Sequence, residues 1–290
     1  MSYGSFNLSP QSFQDDLLRL CKDSESAQYG LDRFENLANS KFLTYNLDKS
    51  MMTIVGSKKA RERLEKELLE NPPMLYGQPL QVVLQATYLG DELKMNCAES
   101  VSATIRKRIG LTKKSIMEIK NVVEDCRSEV TGGIVTGLQL WESCVVPYIL
   151  NNSSTWLDIR QSDKNILNKL QSLFLNTLLN TFNCPIPLMY LDLNILTMPM
   201  RILSSKLTLY HHIACLPERS VSKKIMKIQE DLNFPSLYEE ISEFLTKHEI
   251  IDVTSYSKVA WKDLVKNLIA SDNRNWLLES TKRYKKLDND

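Results

Sequence analysis

The chain has 290 residues and a formal net charge of +1, with 36 Lys and Arg against 35 Asp and Glu. This balance excludes a protein that is basic over its whole surface, so any signal for a polyanionic partner must be local. We predict no signal peptide and no membrane span. None of the six cysteines has Cys-x-x-Cys spacing, which indicates reduced thiols and an intracellular location, in the nucleus or the cytoplasm.

The first third of the chain alternates short apolar runs with helical segments. Apolar residues at helical spacing after Ser24, namely Ala27, Leu31, Phe34 and Leu37, favour an amphipathic helix. In chain order we predict a strand-turn-strand over 12–20, a helix beginning at Ser24, a buried strand over 50–55, a charged helix over 57–70, a hairpin over 74–84 that turns near Gly77, and a strand over 86–89.

The later sequence is predicted to be almost entirely helical. Four tryptophans, Trp141, Trp156, Trp261 and Trp276, are predicted to anchor the core. The predicted segments are a helix over 101–126 broken near Gly110, a buried helix over 134–150, a helix over 166–182, and helices over 198–214, 219–231, 236–248, 258–270 and 274–281.

The sharpest chemical feature is the pair Asp15-Asp16, which lies between apolar residues of the predicted strand-turn-strand. Adjacent carboxylates offer the oxygen ligands that Mg²⁺ and Mn²⁺ prefer in two-metal phosphoryl transfer. Isolated Asp-Asp pairs also occur as turn residues and helix caps. The pair alone therefore leaves both interpretations open.

Two further motifs follow the paired aspartates in a set order. The three motifs are Phe13-Gln14-Asp15-Asp16, Asn46-Leu47-Asp48-Lys49-Ser50 and Tyr88-Leu89-Gly90. This order resembles the reverse transcriptase domain of non-LTR (LINE-like) retrotransposons, in which a Phe/Tyr-x-Asp-Asp box precedes an Asn-x-x-Lys-Ser/Thr box and a Tyr-Leu-Gly hairpin. Segments 137–142, 146–148 and 187–287 are similar to the thumb and the post-polymerase region of such elements.

The resemblance implies an α+β, mostly helical fold. It comprises a partial polymerase palm over 1–95, a helical thumb and connection over 96–160, and an all-helical C-terminal region over 161–290. It also implies an RNA-directed DNA polymerase that uses Mg²⁺ or Mn²⁺ and whose partners are an RNA template, a DNA primer and deoxynucleoside triphosphates.

Residue roles follow from the same resemblance. Asp15 and Asp16 would be metal ligands, and Lys49 would lie near the incoming triphosphate. Tyr88, Leu89 and Gly90 would form the hairpin that grips the primer end. Without the resemblance, Lys49 is equally an exposed loop lysine, and Tyr88-Leu89-Gly90 is simply a strand followed by a turn.

The chain departs from the family pattern in one respect. The polymerase site of that family needs a third carboxylate on an upstream strand, and only twelve residues precede Phe13. We therefore expect an incomplete active site and no polymerase activity from this chain by itself. The alternative is a non-catalytic helical module, derived from a transposon, that binds nucleic acid or protein.

A local basic segment fits a nucleic-acid partner. Its cations within 101–120 are Arg106, Lys107, Arg108, Lys113, Lys114 and Lys120. The resemblance makes this segment a thumb surface that follows the primer-template backbone, where phosphate contacts give salt-dependent affinity. The alternative is a solvated helix face.

Overall fold

The computed structural model describes residues 11–13, 16–125, 130–181, 184–232 and 234–285. The chain forms two compact units, Met1–Thr104 and Ile105–Asp290. It is 68% helical with a few short strands, which confirms a mostly helical α+β class. The predicted domain boundaries near residues 95 and 160 stay predictions.

The first unit combines two helices with short strands. Strands β1–β2, β4–β5 and β7–β8 pair antiparallel and β3–β6 pairs parallel, so the described strands form four two-stranded sheets. The elements are β1 Gln11–Phe13, β2 Asp16–Leu18, α1 Ser24–Ser40, β3 Met51–Thr53, α2 Lys58–Glu70, β4 Met74–Leu75, β5 Gln78–Pro79, β6 Gln81–Val83, β7 Ala86–Tyr88 and β8 Asp91–Leu93.

Helix α1 begins where its sequence supplies a capping box. The Asp23 carboxylate accepts a hydrogen bond from the Ser26 backbone N–H at 2.8 Å, and the Asp23 N–H donates to the Ser26 hydroxyl. Hydrogen bonds from the Ser26 hydroxyl and from the Ser26 backbone N–H to the Asp23 carboxylate lower the pKa of Asp23 below its usual value. Further along α1, the Gln28 side chain donates to the Met74 carbonyl at 3.0 Å and accepts from the Met74 N–H at 2.6 Å, which fixes β4 against the helix.

The strand predicted as buried over 50–55 is shorter and more exposed than expected. Strand β3 covers Met51–Thr53 only, and Met51 is 43% exposed. Among the described strands it hydrogen-bonds only to β6, although β7 also lies near it, so its other edge has no ladder partner. The predicted turn near Gly77 is confirmed, because Gly77 has a φ of 71° in the turn between β4 and β5. The hairpin is shorter than the predicted span 74–84, since it ends at Pro79 and β6 pairs with β3 instead.

The second unit consists of helices joined by short turns. A π-helical turn at Trp141–Val145 and 3₁₀ turns at Ser153–Thr155 and Val253–Ser255 lie between the longer elements. The helices are α3 Cys97–Asp125, which begins in the first unit, α4 Val130–Leu140, α5 Val146–Ile149, α6 Gln161–Leu179, α7 Ile186–Asp192, α8 Met198–Ala214, α9 Val221–Asp231, α10 Leu237–Lys247 and α11 Lys258–Lys285.

One hydrophobic core of this unit lies between α8, α10 and α11. Its centre is Trp261, which is fully buried and donates from its indole N–H to the Leu207 carbonyl at 3.0 Å. Outside this cluster, Trp141 of the π-helical turn stacks on Phe174 of α6 with ring centroids 4.2 Å apart. The cluster around Trp261 contains Leu207, Ile241, Phe244, Leu245, Val253, Val265 and Ile269.

Three helix predictions for this unit were wrong in detail. Helix α3 continues through Gly110, where we predicted a break, because buried Ile105 and Ile116 hold both sides of that glycine. The segments 258–270 and 274–281 form the single helix α11. The π-helical turn interrupts the helix predicted over 134–150, and Trp276, predicted as a core anchor, is 51% exposed.

Candidate nucleic-acid-binding surface

The hairpin predicted around the paired aspartates is present in the described backbone. Strands β1 and β2 pair antiparallel, with Phe13 opposite Asp16. Asp15 and the side chain of Asp16 lie outside the described residues. The predicted strand pairing is therefore confirmed, and the metal-ligand roles of Asp15 and Asp16 stay predictions.

A complete metal site would need further ligands beside these two aspartates. Among the residues that the structure describes, no group of three or more His, Cys, Asp and Glu side chains is placed to hold a metal ion. The described residues therefore do not complete a site for Mg²⁺ or Mn²⁺.

The Asn46-x-x-Lys49-Ser50 motif forms a capped 3₁₀ turn, Leu47–Lys49, immediately before β3. The Asn46 side chain accepts from the Asp48 N–H at 3.0 Å, and the Ser50 hydroxyl donates to the Asn46 carbonyl at 2.8 Å. Asn46 and Ser50 thus shape the turn, while Lys49 is exposed at its end. An ammonium in this position can reach an anionic ligand.

The Tyr88-Leu89-Gly90 motif forms a tight hairpin between β7 and β8. Leu89 and Gly90 have φ values of 50° and 82°, the left-handed pair that a type I′ turn requires. Its base is fixed to the start of α3, because the Glu92 backbone N–H donates to the Thr104 hydroxyl at 2.8 Å. The hairpin is confirmed, and its contact with a primer stays a prediction.

Four of the predicted basic residues form a grid on the exposed side of α3. Arg106 and Lys113 are seven residues apart, as are Lys107 and Lys114, so each pair lies on one side of the helix about 10 Å apart. All four side chains are exposed. Lys114 also lies 3.7 Å from Glu118 in a solvent-exposed ion pair. We call these four residues the α3 basic grid.

Arg108 does not belong to this surface, and its prediction as a nucleic-acid contact was wrong. It is 4% exposed, and its guanidinium donates to the carbonyls of Ile149 at 3.1 Å and Asn151 at 2.5 Å. The guanidinium carbon also lies 5.5 Å from the centre of the Trp156 ring. Through these contacts, Arg108 holds the end of α5 against α3.

The sequence contained a signal that separates Arg108 from its neighbours. Ile105, Thr112 and Ile116 are buried, and Arg108 lies three or four residues from Ile105 and Thr112 on that same helix face. Arg106 points about 200° away from Arg108 around the helix. Helical periodicity therefore distinguishes residues that a simple charge run groups together.

His211, His212 and Cys215 do not form a metal site in the structure. The His211 Nε2 atom lies 3.0 Å from the Tyr256 carbonyl oxygen and 3.7 Å from the Cys215 sulfur, and its ring stacks on Trp261. His212 is exposed. His211 therefore acts as a packed core residue.

Protein-family models, curated proteins and solved structures were compared with the chain, and none matches it. Within the described ranges, no helix has both the length and the apolar character needed to cross a membrane. The family resemblance accordingly depends on the motifs and on the local structures that they form.

Proposed function

We propose that this chain is the C-terminal part of a non-LTR retrotransposon reverse transcriptase and that it contributes primer-template contacts to that enzyme. The observation that carries the proposal is the local structure of the three motifs. The Asp16 segment lies in a hairpin, Lys49 ends a capped turn before a strand, and Tyr88-Leu89-Gly90 forms a type I′ hairpin. Each motif thus has the backbone form that its proposed role needs.

The proposed chemistry is template-directed nucleotidyl transfer in the intact enzyme. Bound Mg²⁺ or Mn²⁺ would supply charge neutralisation at the transferring phosphoryl group, with Asp15 and Asp16 among the ligands. The exposed ammonium of Lys49 would neutralise negative charge on the triphosphate. We assign the first unit to a partial palm. The part of α3 that continues beyond that unit would belong to a helical thumb.

The α3 basic grid supports the nucleic-acid part of the proposal. Its four cations lie on one helix surface at intervals that a polyanion can bridge, and their contacts would be with phosphates rather than with bases. Such contacts release counterions, so the affinity must fall steeply as salt increases. Because the net charge of the whole chain is only +1, the positive charge of this grid is a local feature and not part of a generally basic surface.

Binding of a fluorescein-labelled RNA–DNA hybrid, measured by anisotropy across a salt series, tests this surface. The test variant replaces Arg106, Lys107, Lys113 and Lys114 with Gln. The slope of log K against log salt should become shallower by about 3.6 when four phosphate contacts are lost. A control variant replaces four exposed cations of the first unit with Gln, namely Lys41, Lys58, Lys59 and Lys66. Equal slopes for the test variant and the unmodified chain would exclude the grid as a contact.

The alternative function is a non-catalytic nucleic-acid- or protein-binding module. Asp15→Asn together with Asp16→Asn separates the two proposals when introduced into a polymerase-competent element. The catalytic proposal expects loss of primer extension with hybrid binding retained. Unchanged extension by this double variant would remove Asp15 and Asp16 from catalysis.

A further inference from the structure

Helix α11 carries a line of cations beside its buried face. Residues four apart lie along one ridge of a helix surface. At this interval from 258 to 282 the chain has, in order, Lys258, Lys262, Lys266, Ala270, Arg274, Leu278 and Lys282. The four cations from Lys258 to Arg274 are exposed, and we call them the α11 basic ridge.

The ridge is not neutralised by the rest of the described chain. Its four side chains make no ion pair or hydrogen bond with any residue that the structure describes. Between 258 and 274 the only exposed acidic residue is Asp263, because Asp272 is buried. The ridge therefore presents a net positive line to solvent.

Another charged helix of this chain is built differently. In α2, Lys58 lies 3.9 Å from Glu62, and Arg61 lies 3.7 Å from Glu65. Each cation of those pairs has a carboxylate four residues later, which is the arrangement of an ordinary solvated helix face. In the ridge, the residue four positions after Lys258 and after Lys262 is another lysine.

The ridge also opposes the intrinsic preferences of its helix. Like charges four residues apart repel one another along a helix. Lys258 adds a cation at the first turn, where the helix dipole favours anions, and that turn contains no acidic residue. Departures from local rules of this kind are expected mainly at functional or strained sites.

We infer that the α11 basic ridge binds the sugar–phosphate backbone of a nucleic acid, an inference that takes only its choice of partner from the proposed function. From Lys258 to Arg274 the ridge is about 24 Å long at the rise of an α-helix. A duplex presents one phosphate charge per roughly 1.7 Å of its axis, about 14 over this length. Each step of four residues also turns about 40° around the helix axis, so Lys258, Lys262 and Lys266 span about 80° of the helix surface and can contact one duplex together, while Arg274 lies further round the helix.

A nucleic acid fits this helix better than a lipid surface does. An amphipathic helix binds a membrane by inserting its apolar face into the lipid. In α11 that face is occupied, because Trp261, Val265 and Ile269 are buried in the core. Within 258–282 the exposed large apolar side chains of α11 are Val259, Trp276 and Leu278, and the surface between Val259 and Trp276 exposes none that could insert.

The test uses the full chain with Lys258, Lys262, Lys266 and Arg274 replaced by Gln, a residue that helices accept well. The hybrid-binding assay is repeated over the salt series, with the variant of Lys41, Lys58, Lys59 and Lys66 as the matched control. We expect the ridge variant to lose at least about 10-fold in affinity at low salt and its salt slope to become shallower by about 2.7, the change for three lost phosphate contacts. Equal melting temperatures would show that α11 is still folded.

The outcomes separate this inference from the proposed function. Loss of affinity in the ridge variant but not in the α3 variant supports the ridge and removes the α3 basic grid. Loss in the α3 variant alone overturns the ridge and leaves the proposed contact standing. Absence of hybrid binding by the unmodified chain overturns both. Binding to phosphatidylserine vesicles that depends on the ridge, with hybrid binding unchanged, would also overturn the inference.

Discussion

Removing the carboxylate of Glu240 is expected to destabilise the second unit strongly, because it would leave a buried ammonium without its counter-charge. Lys206 is 2% exposed, and its Nζ atom lies 2.7 Å from the Glu240 Oε2 atom. The other carboxylate oxygen accepts from the Asp158 backbone N–H at 2.7 Å. Removal of one partner from a buried ion pair costs about 3–5 kcal/mol. We expect this loss for Glu240→Ala.

Removing the lysine should have the opposite consequence. Burial lowers the pKa of Lys206 although Glu240 raises it, so desolvation outweighs the ion pair. Lys206→Met keeps the length and apolar packing of the side chain and removes the desolvation cost. We expect this variant to be neutral or more stable by up to about 4 kcal/mol. The double variant with Glu240→Ala should therefore be more stable than Glu240→Ala alone.

Urea unfolding with linear extrapolation measures all four proteins of this cycle. The pKa of Lys206 lies below its ordinary value of 10.5. The unfolded chain therefore binds more protons in the window just below pH 10.5, and stability should rise with pH there. Lys206→Met should abolish that rise. A loss below about 1 kcal/mol for Glu240→Ala, or a double variant at least as unstable as that single variant, would refute the assignment of a buried, desolvated pair.

Three further changes have expected outcomes. Burial raises the pKa of Tyr190 from its ordinary value of 10.0 to about 12, because burial outweighs the lowering effect of the hydrogen bond with Ser172. The unfolded chain loses this proton first, so stability should fall by about 3 kcal/mol between those pH values. Tyr190→Phe should remove that fall in urea titrations. Gly137→Ala would place a methyl group against the Leu178 side chain, closer than a Cβ atom normally approaches, and should cost about 1–3 kcal/mol in the same assay. Leu89→Asn should raise the melting temperature by relieving a φ of 50°, a gain of about 0.5–1 kcal/mol; a lower melting temperature would contradict it.

Local signals predicted many of the elements. The predicted bounds 198–214 match helix α8. The helix beginning at Ser24 and the turn at Gly77 also follow from a capping residue and a glycine with positive φ. Periodicity and caps act within a few residues, so sequence contains them directly.

Tertiary contacts decided what the local signals did not. Asp272 and Asn273 favour turns over helix interiors, which explains the predicted break in α11. In the structure, Asn273 accepts from the Thr197 N–H and donates to the Ile195 carbonyl, each at 3.1 Å. Asp272 lies 2.7 Å from the Lys247 ammonium. Partners distant in sequence thus hold both residues inside the helix.

The candidate site was predictable to a similar extent. A turn after Tyr88 follows from Gly90, while its hairpin form was expected from the family resemblance, and the turn before β3 follows from Asn46. Helical periodicity places Arg108 on the buried face of α3, but the acceptors of its guanidinium are carbonyls more than forty residues away, at Ile149 and Asn151. Charge alone carries no information on such distant acceptors.

The two-stranded sheets of the first unit have a consequence for hydrogen exchange. Every described strand there has one neighbour only, so part of its backbone N–H groups faces outward without a ladder partner. Such amides exchange with solvent through small local openings. Amides of α8, α10 and α11 surround the buried core at Trp261 and exchange only when that core opens. Deuterium uptake should therefore divide this single polypeptide into a fast-exchanging and a slow-exchanging population.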